Sequence, residues 1–166
     1  MYIYPYMGGD ELNLNIVLVE PEIPQNTGNI ARSCVLTRST LHLVKPLGFS
    51  VDDKSLKRAG LDYWQYLDVR YYENLEEFYK LNEGANFYYS TTKAKNTYTD
   101  IKYSIGDFIV FGKESAGLPK EIIEKNGEHC IRIPMVKESL RSLNLSNSVN
   151  IVMFEALRQL NFPEMR

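Results

Sequence analysis

Short apolar runs take turns with amphipathic helical segments along almost the whole of this chain, and that alternation leaves few folds open to it. Leu14–Glu20, Thr40–Pro46, Asp68–Tyr72, Asn86–Thr91, Asp107–Gly112 and His129–Met135 read as strands. Between them, Asn29–Arg38 reads as a helix with Ile30, Ala31, Cys34 and Val35 facing inward. Lys54–Gly60 reads as a short basic helix, and Leu75–Leu81 as a helix burying Leu75, Phe78 and Leu81. Pro119 falls where a first helical turn accepts proline, so a helix is expected in Pro119–Lys125. The last helix runs from about Ser146 to just before Pro163. Its apolar Val149, Val152, Met153, Ala156, Leu157 and Leu160 recur at the spacing of one helical face. Strand–helix alternation of this kind predicts an α/β fold, a parallel sheet covered by helices on both faces.

Such sheets bind ligands beyond the carboxyl ends of their strands. Four expected turns lie there, around Glu20–Asn29, Ser90–Asn96, Phe111–Pro119 and Ile133–Asn147. Each combines glycine or proline with small polar side chains. None contains the dinucleotide fingerprint or the phosphate-loop Gly-Lys-Ser/Thr. The last is the richest, with Arg141, Ser142, Asn144, Ser146, Asn147 and Ser148 in one run before the helix. A helix start needs one Ser or Asn cap, so the excess reads as a functional loop.

Composition narrows the function classes. With 44% hydrophobic and 24% charged residues in 166, the chain is most simply one soluble globular domain. A net charge of −2 argues against a general nucleic-acid coat, while leaving room for local basic surface. Cys34 and Cys130 lie far apart and form no redox or metal motif, which fits a reduced cytosolic setting; His42 and His129 are isolated within expected strands. No metal site and no membrane span are expected, and residues 1–12 carry no secretion signal. Those first residues read as a tyrosine-rich extension, with the folded domain spanning 13–166.

Three motifs, taken in order, resemble the SPOUT class of RNA methyltransferases. They are Pro-x-Asn-Thr-Gly-Asn-Ile-x-Arg at Pro24–Arg32, Phe-Gly-x-Glu-x-x-Gly-Leu-Pro at Phe111–Pro119, and Ile-Pro-Met at Ile133–Met135 followed by Arg-Ser-x-Asn-Leu-Ser-Asn-x-Val at Arg141–Val149. Pro46–Trp64 and Thr91–Lys93 are similar to one subgroup, the small tRNA (cytidine/uridine-2′-O)-methyltransferases of the wobble nucleotide.

The resemblance implies a C-terminal deep trefoil knot, S-adenosylmethionine as methyl donor with no metal, and a homodimer whose sites draw on both subunits. The implied substrate is tRNA, not DNA, acted on at the wobble ribose in the cytoplasm, with leucine isoacceptors the expected group. Residue by residue, it implies Asn26, Arg32, Glu114, Ser142 and Asn144 at the reaction centre. Ser90, Gly112, Ile133, Met135, Ser142 and Leu143 would contact the cofactor, and Glu114 would orient Asn26 or Arg32. Lys54, Lys57, Arg58, Lys93 and Arg141 are expected phosphate contacts. The competing readings are methylation of another tRNA or rRNA ribose, and a non-catalytic RNA-binding protein on the same fold.

Overall fold

Seven strands lie side by side in the order β3-β2-β1-β6-β4-β7-β5, every pairing parallel. The computed structural model describes residues 13–51 and 61–166. Expectations for residues 1–12 and for the basic segment with Lys54, Lys57 and Arg58 lie outside them.

The strands are β1 (Asn15–Val19), β2 (Thr40–Val44), β3 (Val69–Tyr72), β4 (Phe87–Ser90), β5 (Asn96–Thr97), β6 (Phe108–Phe111) and β7 (Cys130–Arg132). Helices α1 (Pro24–Thr37), α2 (Leu75–Leu81), α3 (Lys120–Lys125) and α4 (Leu145–Gln159) connect or follow them. None of the described helices is long and apolar enough to cross a membrane.

Side chains alternate across the strands, as the two-residue repeat of extended backbone requires. Ile16, Leu18, Ile109 and Phe111 face one side, where Ile30 and Cys34 of α1 pack with Val149, Val152, Met153 and Leu157 of α4. Val17, Val19, Phe108 and Val110 face the other, with Phe78 of α2 and Leu118 beside α3. The parallel sheet with helices on both faces is therefore the architecture.

Several local expectations change. Helix α1 starts at Pro24, five residues earlier than the strand–loop–helix reading, because a distant carboxylate stabilises its first turn. Leu81 is 66% exposed at the end of α2, where Phe78 alone is buried. The last strand stops at Arg132, so Ile133–Met135 is loop, and His129 closes a 3-10 turn, Gly127–His129. The polar excursion after β4 hides β5, two residues that pair with Ile131 and Arg132 at the sheet edge. His42, inside β2, spends both ring nitrogens on the Tyr72 hydroxyl (2.8 Å) and Asn15 Oδ1 (2.9 Å), and burial pushes its pKa down to about 3.

Chain direction diverges between β1 and β6. From β1 the chain crosses through α1 to β2; from β6 it crosses through α3 to β7, on the opposite side. A crevice opens at such a switch point, beyond the strands' carboxyl ends.

Candidate active site

Both turns at the switch point carry carboxylates, and each is bound to the other turn. Helix α1 has no capping side chain of its own, since its N-cap is Ile23 and proline occupies its first turn. Its unpaired N–H groups therefore need an external acceptor. Glu114, just after β6, supplies one: Oε2 accepts from the Glu22 N–H at 2.8 Å and Oε1 from the Ile23 N–H at 3.1 Å. The same Oε1 accepts from the Asn26 side-chain amide at 3.1 Å. A carboxylate here also meets the positive end of the α1 dipole.

Asn26 passes the connection on. The residue is 5% exposed, and its Oδ1 accepts from Asn144 Nδ2 at 3.0 Å. Asn144 is the N-cap of α4: its Oδ1 accepts from the Ser146 N–H at 2.9 Å and the Ser146 hydroxyl at 2.7 Å. Ser148 also donates to the Asn144 carbonyl at 3.1 Å. Much of the Ser/Asn run thus serves the helix start, more than one cap was expected to need. The result is a polar chain, Glu114–Asn26–Asn144, joining the turns after β1 and β6 to the start of α4.

A cavity of about 760 Å³ lies against this chain and is lined by all four expected turns. Asn26, Glu114, Ser142 and Asn144 line it, as do Ser90, Gly112, Ile133, Met135, Leu143, Lys93 and Arg141. Thr91, Thr92, Ser115, Ile123, Leu140 and Ser148 share its wall. Sequence reasoning gave them no individual role, because small polar and aliphatic side chains carry no chemical signature outside a known fold.

Arg32 stands apart. It is exposed on α1, does not line the cavity, and lays its guanidinium carbon 5.2 Å from the centroid of the Tyr63 ring. Six helical residues past Asn26, it projects from a different face, since each residue turns the helix by about 100°. Within this chain, then, Glu114 orients Asn26 but has no bond to Arg32.

Gly112 has a clear steric role at the cavity wall. A Cβ there would lie 2.0 Å from the Gly117 carbonyl carbon and 2.1 Å from the Leu118 nitrogen. The turn folds back through a Gly117 N–H to Lys113 carbonyl bond of 2.8 Å, with Gly117 itself at φ +69°. Any side chain at 112 would push the cavity wall outward. Lys113 is also committed, its ammonium 2.9 Å from Glu20 Oε2.

Residues 13–154 match the SpoU rRNA methylase family. A Listeria monocytogenes protein provisionally named a tRNA (cytidine(34)-2′-O)-methyltransferase is 56% identical over 151 residues, covering 89% of each chain. The Escherichia coli K12 protein named tRNA (cytidine(34)-2′-O)-methyltransferase is 46% identical over 151 residues, 90% of this chain and 96% of that one. A solved structure from work on the 2-OH methylation of C/U34 on tRNA superposes with a TM-score of 0.85 at 38% identity, covering 92% of this chain and 99% of that chain.

Proposed function

This chain belongs to the SpoU rRNA methylase family, and from that membership we propose that it transfers a methyl group from S-adenosylmethionine to the ribose 2′-hydroxyl of nucleotide 34 in tRNA. The observation that carries the reading is the meeting of Asn26, Glu114 and Asn144 at the wall of one cavity, in a chain that relatives bearing that activity's name match nearly end to end.

The cavity suits the donor. Its volume of about 760 Å³ falls within the roughly 300–1,000 Å³ of small-molecule sites. Ile133, Met135 and Leu143 offer apolar walls, while Ser90, Gly112 and Ser142 offer backbone and hydroxyl partners. When bound, S-adenosylmethionine supplies an electrophilic methyl group on a positively charged sulfur.

The chain's own residues then have to hold the sugar oxygen in line and stabilise the charge it develops. Orientation of this kind contributes up to about 7–11 kcal/mol in well-placed reactions. Glu114 fixes the Asn26 amide, and Asn144 meets it from the opposite side, so the Asn26 side chain is held at both ends. The Asn144 oxygen is already shared by the first turn of α4, which makes it a positioning group rather than a proton acceptor. Ser142, exposed at the cavity, is the hydroxyl we assign to the ribose or the methionine end of the donor. A guanidinium keeps its proton in proteins, so Arg32 acts as a clamp on the oxyanion or a neighbouring phosphate. Its outward position on α1 suits a homodimer in which it serves the partner's cavity.

On the same reading Lys93 and Arg141 meet tRNA phosphates, the C-terminal segment is threaded as a trefoil knot, residues 13–166 form one methyltransferase domain, leucine isoacceptors are the substrates, and the work is done in the cytoplasm. The test is to supply methyl-labelled S-adenosylmethionine and purified tRNAs, then map the label by mass spectrometry of nuclease digests. The expected result is one methyl on the ribose of nucleotide 34, lost when that nucleotide is 2′-deoxy. Label at another ribose, or none with any tRNA, overturns it.

A further inference from the structure

We propose that Glu22 is a positioning residue for this reaction, locking the turn that opens α1 to the turn that follows β6 so that Asn26 and the cavity wall move as one body. The proposal rests on the methyl-transfer reading for its kinetic consequences and on geometry for the lock itself.

The two turns exchange bonds in both directions. Glu22 Oε2 accepts from the Ser115 N–H at 2.8 Å, and Oε1 accepts from the Ser115 hydroxyl at 2.8 Å. In return, the Glu22 N–H donates to Glu114 Oε2 at 2.8 Å. Adjacent residues of one turn and adjacent residues of the other thus close a ring of carboxylate–amide bonds across more than 90 positions of chain. Bonds of this type, with one ionised partner, are about twice as strong as neutral ones.

Glu22 is not a second helix cap. Glu114 already accepts from the start of α1, whereas the Glu22 carboxylate points away from the helix and into the opposing turn. Nor does Glu22 line the cavity, although Asn26, Lys113, Glu114 and Ser115 all do. Its effect on the site must therefore pass through those residues.

Two further observations show that the turn is built to be held. Glu20 adopts φ +51°, the left-handed region that non-glycine residues rarely occupy, and its carboxylate takes the Lys113 ammonium at 2.9 Å. On the other side, the Glu22 backbone stands where a Cβ on Gly48 would be, 2.7 Å from Cα and 2.8 Å from the carbonyl oxygen. Glu22 is thus pressed between the segment after β2 and the turn after β6. Hydrogen bonds from Ser115 also hold its carboxyl below the usual carboxylate range, which keeps the acceptor charged.

Steady-state methyl transfer and amide hydrogen exchange on Glu22→Gln, Ser115→Ala, Ser115→Thr and the Glu22→Gln/Ser115→Ala pair test the lock. Glu22→Gln should lower kcat roughly 10-fold or more, with the tRNA KM and cofactor affinity within about threefold, as expected when a charge-assisted bond that only orients is lost. Exchange should rise together in residues 23–27 and 113–117. The pair should be no slower than Glu22→Gln alone, and Ser115→Thr, which keeps both donors, should lose less turnover than Ser115→Ala. A Glu22→Gln kcat within twofold of wild type, additive losses in the pair, or exchange rising in one turn only would overturn the proposal. If the wild-type protein methylates no tRNA, the substrate reading falls while exchange alone still decides the lock. If Glu22→Gln does not fold, Ser115→Ala on an exposed residue carries the same expectations at smaller size.

Discussion

Helices α1 and α4 pack against each other on one face of the sheet and both begin at the cavity, yet they are started in opposite ways. Helix α4 carries its own cap: Asn144 accepts from the amides of Ser146 and Asn147 within its first turn. Helix α1 has none and borrows Glu114 from a turn 91 residues away. The local cap makes α4 a stable wall. The borrowed one makes the placement of α1, and with it Asn26 and Arg32, depend on the turn that lines the cavity.

The sharpest way to break that comparison is Arg32→Ala. Arg32 makes its contact with Tyr63 at the protein surface, so the loss should fall on chemistry and leave fold and cofactor affinity largely intact. Methyl transfer is expected to drop on the order of 10²–10³-fold, the range for removing one preorganised charge donor; unchanged turnover would take Arg32 out of the mechanism. Next in size is Glu114→Ala, which strips the acceptor from Glu22, Ile23 and Asn26 together. A fall of about 1–3 kcal/mol in unfolding free energy by urea titration, accompanied by slower transfer, is expected from leaving such donors unmet.

Asn144→Ala should cost less in stability, about 0.5–2 kcal/mol, because one local cap is lost and the Ser146 hydroxyl remains near the helix start. Equal urea midpoints for Glu114→Ala and Asn144→Ala would erase the distinction between borrowed and local caps. The smallest effect is titration. Glu22 has a lowered folded-state pKa, chiefly from the Ser115 hydroxyl and amide, so its contribution is complete above the ordinary value of 4.5 and is lost as pH falls through the lowered one. Amide signals of residues 22–27 should therefore shift as pH falls below the ordinary carboxylate value of 4.5, while those of 146–149, capped by a side chain that does not ionise, stay in place. Parallel movement of both sets would count against the comparison.

The same contrast explains how much was legible beforehand. Alternating strands and helices, the inward face of α4, buried Cys34 and the four turns at the strand ends all follow from repeats a few residues long. The N-terminal extension of α1 to Pro24 was not legible, because proline and glycine in Pro24–Gly28 read as loop until Glu114 arrives from across the sheet. The two-residue β5 has no periodicity to show and exists only by pairing with β7. Leu81 fits the apolar spacing of α2 but falls at its exposed end.

For the site, the resemblance of its motifs to a known family pointed to Asn26, Glu114, Ser142 and Asn144, and the fold gathers them at one cavity. It sets Arg32 on another face of α1 and reveals the Glu22–Ser115 bonds, which no spacing rule connects. By itself the sequence determined the longer strands and helices and where polar turns interrupt them, since backbone periodicity and apolar burial act over a handful of residues. Which turns face each other, which carboxylate starts which helix and which way Arg32 looks were decided only in three dimensions, because those bonds form between groups about 90 residues apart that strand pairing alone brings within 3 Å.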